Sequence, residues 1–178
     1  VRIMDRCIHC TRCIRFLREI VGDELMCFEY RGNNTNVTPV AGASLDTMYS
    51  GNLAEVCPVG ALTNKEFRFK TRPWNMRSFP SVCPLCSAGC NVYLDVKDDK
   101  IYRIKPRIND DVNGWWICDE GRFEYGYVNS PKRLTAPRVG ARETSWEEAV
   151  SAAASGISSV AKEYGPDAVA GLCPAINR

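Results

Sequence analysis

The chain has 178 residues, 45% hydrophobic and 25% charged, which excludes a disordered or fibrous protein and leaves room for one or two packed domains of roughly 100–200 residues each. Its 23 Lys and Arg stand against 21 Asp and Glu, spread along the chain for a net +2, so there is no basic stripe of the kind nucleic-acid binding uses and no nucleic acid is expected as partner. No apolar run approaches the ~18 residues of a membrane-spanning helix, and the N-terminus lacks a signal peptide's apolar core, so no direct membrane insertion is expected.

Ten cysteines could form a disulfide framework in a secreted protein. Their spacing argues against it. Most sit two or three residues apart, which puts several thiolates on one tight turn facing a single point, a geometry that serves a metal or cluster in a reducing compartment. The sequons at Asn33 and Asn36 are then chance matches. The chain opens on Val1, reaches a ligand motif within seven residues and closes just after the strand-like "DAVAGLC", so it reads as a fragment of a longer polypeptide. The motifs divide it into residues 1–77, 78–136 and 137–178.

The first segment holds "CIHCTRC" and, much later, "CP". In a two-cluster ferredoxin each half carries CxxCxxCxxxCP, and the fourth Cys of one half completes the cluster of the other. Laid on this chain, the first copy finds Cys7, Cys10, Cys13 and then Leu17. The second, anchored backward from Cys57, finds Thr47, Ser50 and Leu53 where cysteines would stand. One cluster survives, on Cys7, Cys10, Cys13 and Cys57, and Leu17 and Leu53 fill the vanished second site as core. Zinc is the rival, but its ligands usually come as two separated pairs, whereas three cysteines in one loop wrap a corner of a cuboidal cluster. His9, the only histidine, sits between two ligands with its ring expected to point outward. Arg12 and Arg15 read as a solvated basic face. Beside a cluster, their charge would also stabilise the reduced form and raise its potential.

The second segment holds CxxCxxxC at Cys83, Cys86 and Cys90, with Cys118 following in "WWICDEGRF". This spacing is less specific, and a zinc ribbon remains open beside a second 4Fe-4S cluster. Between the ligands, "NVYLDVKDDKIYRIKP" alternates apolar and polar residues around Asp98 and Asp99, predicting a β-hairpin. Asp95, Asp98 and Asp99 are expected as solvated turn residues, Trp115 and Trp116 as core packing that shields a cluster. Cys27 and Cys173 stand alone and are expected as buried structural thiols.

In the third segment, Ser145 followed by Glu148 forms a capping box, and "WEEAVSAAASGISSVAKEY" carries helical spacing until Gly165 and Pro166 stop it. A helix followed by the strand-like "AVAGL" predicts the opening of an α/β domain. The expected fold class is α+β, with the α/β start appended.

"CIHCTRCIRF", "SGNLAEVCPVGALTNKEFRFKTRPW", "CPLCSAGC" and "ICDEGRFEYGYVN", in this order, resemble the large iron-sulfur subunit of the peripheral arm of NADH-quinone oxidoreductase, respiratory complex I, of the bacterial type with an additional 4Fe-4S cluster. The resemblance implies a ferredoxin-like 4Fe-4S domain, a small β-rich 4Fe-4S domain of molybdopterin-oxidoreductase type and the start of a molybdopterin-oxidoreductase-like domain. It implies two 4Fe-4S clusters, the first a link in the wire from flavin toward quinone and the second off that wire. The implied partners are the flavin subunit and the quinone-proximal iron-sulfur subunits, at the cytoplasmic face of the bacterial inner membrane. The family's upstream plant-type 2Fe-2S domain and one-His, three-Cys cluster are missing. CxxCxxxC also resembles the start of molybdopterin oxidoreductases such as formate dehydrogenase, where a basic residue commonly sits two positions after the last cysteine. Here that position is Glu120, which disfavours molybdenum.

The leading function is therefore an electron-transfer subunit of NADH:quinone oxidoreductase, with no catalytic residue of its own. An iron-sulfur subunit of an NAD-linked formate dehydrogenase or hydrogenase is the alternative, and a non-redox zinc module the third reading. No GxGxxG fingerprint or flavin motif is present, so this chain is not expected to take electrons from NADH directly.

Overall fold

The computed structural model describes residues 1–171. Cys173, and the end of the strand expected in "AVAGL", lie outside the described residues. Val1–Asn129 pack into one compact unit and the chain from Ser130 into another.

In the first unit the Cys7–Cys13 loop leads into a short helix, α1 (Arg12–Phe16), which continues as a π-helical turn over Leu17–Val21 and ends on Gly22, whose φ of +90° suits a residue without Cβ. An antiparallel hairpin follows, β1 (Met26–Glu29) paired with β2 (Asn36–Pro39). Alternation along the hairpin turns Met26 and Val37 inward, where they meet Phe16, Leu17 and Leu53 in one core. Leu53 opens α2 (Leu53–Val56), the turn that delivers Cys57. Leu17 and Leu53, at the positions where a two-cluster ferredoxin carries ligands, are thus ordinary core. Cys27 faces away from Met26 on the same strand and is half-buried, not buried as expected.

The predicted hairpin is present as β4 (Asn91–Lys97) and β5 (Lys100–Pro106). Asp98 and Asp99 both take positive φ, 50° and 57°, as the tight hairpin turn requires, and Asp tolerates this conformation better than most residues. A third strand, β3 (Arg77–Val82), extends the sheet in the order β3-β4-β5. Its register sets Ser78 opposite Asp95 and Asp95 opposite Arg103. This row corrects the expectation for Asp95. It is 1% exposed, accepting a short hydrogen bond from the Ser78 hydroxyl and an ion-pair hydrogen bond of 2.5 Å from Arg103 Nε. The sequence pattern hid this because the third strand that covers Asp95 was not anticipated. Asp98 and Asp99 are exposed.

Beyond the sheet the chain reaches a short helix, α3 (Asp119–Phe123). Just before it, Trp116 packs against Phe16 with ring centroids 4.7 Å apart, as expected of core. Trp115 does not. It is 59% exposed, because its neighbour turns inward and the backbone there sends successive side chains to opposite sides.

In the second unit, α4 spans Trp146–Tyr164, capped by Ser145, whose Oγ accepts from the Glu148 amide at 3.2 Å. The Glu148 carboxylate does not close the box, because it pairs with Arg142 on the short hairpin of β6 (Arg138–Val139) and β7 (Arg142–Glu143). Trp146, Val150, Ile157, Val160 and Tyr164 form an exposed apolar stripe along α4. No helix among the described residues is long and apolar enough to cross a membrane.

Asp95→Asn, which takes the carboxylate from a buried ion pair, should cost about 2–3 kcal/mol in anaerobic denaturant unfolding, whereas Asp98→Asn should stay within about 0.5 kcal/mol of the parent.

Candidate metal centres

The loop from Cys7 to Cys13 is bent by its backbone. His9 and Thr11 hold φ of 53° and 64°, left-handed values that cost non-glycine residues of order 1–3 kcal/mol each. The bends turn the thiols of Cys7, Cys10 and Cys13 inward, and with Cys57 these line one cavity, walled by Val37, Val59, Ala61 and Leu62 among others. The His9 amide points at Cys7 Sγ, 3.4 Å away. The His9 ring is exposed and directed away from the thiols. Its Nε2 donates to the Thr35 carbonyl at 2.8 Å and its face tilts against Phe28, tying the loop to the β1–β2 hairpin. Arg12 and Arg15 are exposed, and Arg12 edges the cavity.

Burial pushes the Cys13 thiol above its ordinary value, and the neighbouring Cys7 and Cys10 add to it, against hydrogen bonds from the Ile14 and Cys13 amides that pull it down. A metal bound by such a thiol would take the place of its proton.

The second group converges similarly. Cys83 and Cys90 are linked by a backbone hydrogen bond of 2.8 Å from the Cys83 amide to the Cys90 carbonyl. Burial comes first in raising the Cys83 thiol, opposed by a Leu85 amide and reinforced by Cys118 and Cys86. Burial also leads at Cys90, reinforced by Cys83, Cys118 and Cys86. Cys118 caps α3, its Sγ accepting from the Gly121 amide at 3.4 Å. Gly121 lets the helix lie close to the thiols, since a Cβ there would meet Cys83 Sγ at 3.2 Å. Cys83 is buried and Cys86 exposed. Glu120 is exposed.

Both donor sets fit a 4Fe-4S cluster: four thiols, apolar surroundings at the first site, and amides directed at sulfur. No disulfide joins the nine described cysteines. Among the described residues no three His, Cys, Asp or Glu gather closely enough for a single metal ion. A cuboidal cluster demands less crowding, because each thiolate meets its own iron.

Sequence reasoning missed what joins the two ligand segments. Asn52, fully buried, donates from Nδ2 to the carbonyls of Ile117 at 2.8 Å and Tyr49 at 3.1 Å. Asp119 accepts from the Ser50 hydroxyl at 2.5 Å and the Gly51 amide at 2.7 Å, and its own amide donates to Met48 at 2.6 Å. Arg122, 2% exposed, donates to Glu55 at 2.7 Å and to Asn52 Oδ1 at 2.6 Å. The only signal in the sequence was the pair of polar strings, "SGN" one helical turn before Cys57 and "DEGR" directly after Cys118.

Residues 1–63 match the family model of the NADH-quinone oxidoreductase subunit 3 ferredoxin-like domain, and residues 76–130 that of the molybdopterin oxidoreductase Fe4S4 domain. Subunit 3 of NADH-quinone oxidoreductase from Thermus thermophilus is 39% identical over 157 residues, 86% of this chain and 20% of that protein. The mitochondrial NADH-ubiquinone oxidoreductase 78 kDa subunit from Candida albicans is 35% identical over 166 residues, 91% of this chain and 23% of that protein. Over most of its length the chain is thus similar to one stretch of subunits of NADH-quinone oxidoreductase. NADPH-Fe(3+) oxidoreductase subunit alpha from Geobacter sulfurreducens is 37% identical over 170 residues, 94% of this chain and 20% of that protein. The chain thus spans about a fifth to a quarter of the length of these curated relatives. The two family models that it matches are those of a ferredoxin-like domain and of an Fe4S4 domain.

Gly51 leaves no room for a side chain, since a Cβ would lie 2.4 Å from Arg122 Cδ. Gly51→Ala should therefore destabilise the unit by about 1–3 kcal/mol. Gly126→Ala, where a Cβ meets nothing within 4 Å, should leave the denaturation midpoint within experimental error.

Proposed function

We propose that this chain holds two 4Fe-4S clusters, one on Cys7, Cys10, Cys13 and Cys57 and one on Cys83, Cys86, Cys90 and Cys118, and serves as an electron-transfer subunit of NADH:quinone oxidoreductase. The observation that carries the reading is the convergence of the first four thiols, one from a distant helix end, on a single apolar cavity. A bound 4Fe-4S cluster supplies reversible one-electron storage. The chain's own residues would hold it, limit water at its faces and donate amide hydrogen bonds to the ligand sulfurs, from His9 to Cys7 Sγ and from Gly121 to Cys118 Sγ, which would tune its potential.

On this reading Cys7, Cys10, Cys13 and Cys57 would hold a cluster on the route from flavin toward quinone, and Cys83, Cys86, Cys90 and Cys118 one on a branch off that route. The partners are the flavin subunit and the quinone-proximal iron-sulfur subunits, in a complex peripheral to the cytoplasmic face of a bacterial inner membrane. Residues 1–77 and 78–136 are the two cluster domains, and residues 137–178 begin an α/β molybdopterin-oxidoreductase-like domain. The exposed apolar stripe of α4 supports this last part, since such a face wants cover from further structure. The same module in another NAD(P)-linked oxidoreductase, such as a formate dehydrogenase or hydrogenase, is the second reading. Similarity to NADPH-Fe(3+) oxidoreductase subunit alpha favours keeping it.

Cys57→Ala should lower iron by about four atoms per chain, the content of one cuboidal cluster, because neither Leu17 nor Leu53 can supply a fourth thiolate. Cys27→Ser should leave iron content and the reduced-state paramagnetic signals unaltered. Roles separate in the assembled complex: per assembled particle, Cys10→Ala should abolish NADH-driven quinone reduction and Cys118→Ala should retain most of it. Equal loss in fully assembled particles would put the second cluster on the main route.

A further inference from the structure

The fourth ligands of the two sites, Cys57 and Cys118, are far apart in sequence, yet the segments that carry them meet in the buried polar contact built by Asn52, Glu55, Asp119 and Arg122. Arg122 is fixed to Cys118 by the helix itself, its amide donating to the Cys118 carbonyl at 3.1 Å. Its guanidinium reaches the other way, to Asn52 and to Glu55, the latter two residues before Cys57. Gly51 is pressed against the Arg122 side chain, so the arginine has one place to lie. A buried charge is a costly way to hold two segments together, and apolar packing often serves stability as well. What a forked guanidinium adds is direction: it fixes where Asn52 and Glu55 sit relative to α3, not merely that they touch.

We propose that Arg122 is a positioning residue shared by both cluster sites, through which order at Cys118 fixes Cys57 and order at Cys57 fixes Cys118. This rests on the two-cluster reading above. Its consequence is coupled retention: each cluster holds the other's remote ligand in place, and the coupling is reciprocal by linkage. The buried positive charge should also hold up the potential of the first cluster, since positive charge favours the reduced, more negative form.

The test uses the full chain loaded with iron and sulfide under anaerobic conditions, then challenged with an iron chelator while each cluster is followed by its paramagnetic signal. Cys118→Ala should speed loss of the first cluster by about ten-fold, a coupling of ordinary size for two linked sites. Arg122→Met should speed it comparably and lower the first cluster's potential, and Arg122→Lys should recover the potential but only part of the lifetime. The double variant, Cys118→Ala with Arg122→Met, should be little worse than either alone. If Arg122→Met does not load, Glu55→Gln, which keeps the shape and weakens the same contact, is read for the same shortened lifetime. A parent chain that fails to load both sites overturns the two-cluster reading and this inference with it. A parent that loads both, with first-cluster lifetime and potential unchanged by Cys118→Ala and by Arg122→Met or Glu55→Gln, overturns the role of Arg122 alone.

Discussion

Cysteines gathered around one cavity include buried thiols that resist ionising, and much of the first unit follows from bringing them there. Burial and mutual repulsion raise Cys13, Cys83 and Cys90, so the chain on its own gains nothing from gathering them. The backbone is nevertheless bent into unfavourable left-handed turns at His9 and Thr11. Bends of this kind persist only where the surroundings over-determine them. Here the surroundings are the His9 contact to Thr35, the α1 helix and the core behind it. On the proposed reading, iron would resolve the conflict by replacing protons with a compensating cation, which would couple cluster loading to local folding.

A remote fourth ligand at each site extends this local demand to the whole unit. Three cysteines in a loop can be placed by the loop alone, but Cys57 arrives only if α2 is seated, and α2 is seated by Leu53 entering the core with Leu17 and Phe16. Cys118 arrives at the cap of α3, whose close approach to Ile117 and Cys83 is eased by glycine at 121. The two remote ligands then share the buried contacts of Asn52, Asp119 and Arg122. Trp116, packed on Phe16, adds an apolar tie beside the polar ones.

The convergence of Cys7, Cys10, Cys13 and Cys57 on one cavity and the hairpin were legible in the sequence because each has a strong local signature: cysteine spacing in one case, alternation about two turn residues in the other. The same holds for α4, whose bounds follow from Ser145, Gly165 and the spacing between them. What was not legible depended on partners distant in sequence. Asp95 looked solvated because β3, which supplies Ser78 and covers it, contains Pro80 and Arg77 and does not alternate cleanly. Trp115 and Trp116 could not be told apart, since one position along the chain decides which faces Phe16. The polar strings around Asn52 and Asp119 looked like solvated turns, and only their meeting in space makes them a buried network.

The central claim is that the eight thiols of the two groups hold two cuboidal clusters. Metal and acid-labile sulfide analysis of the anaerobically prepared parent chain, read with its Mössbauer spectrum, tests it most directly. The account predicts about eight irons and eight sulfides per chain, all in 4Fe-4S form. Zinc in place of iron, or a single cluster's worth of iron with both cysteine groups intact, would contradict it.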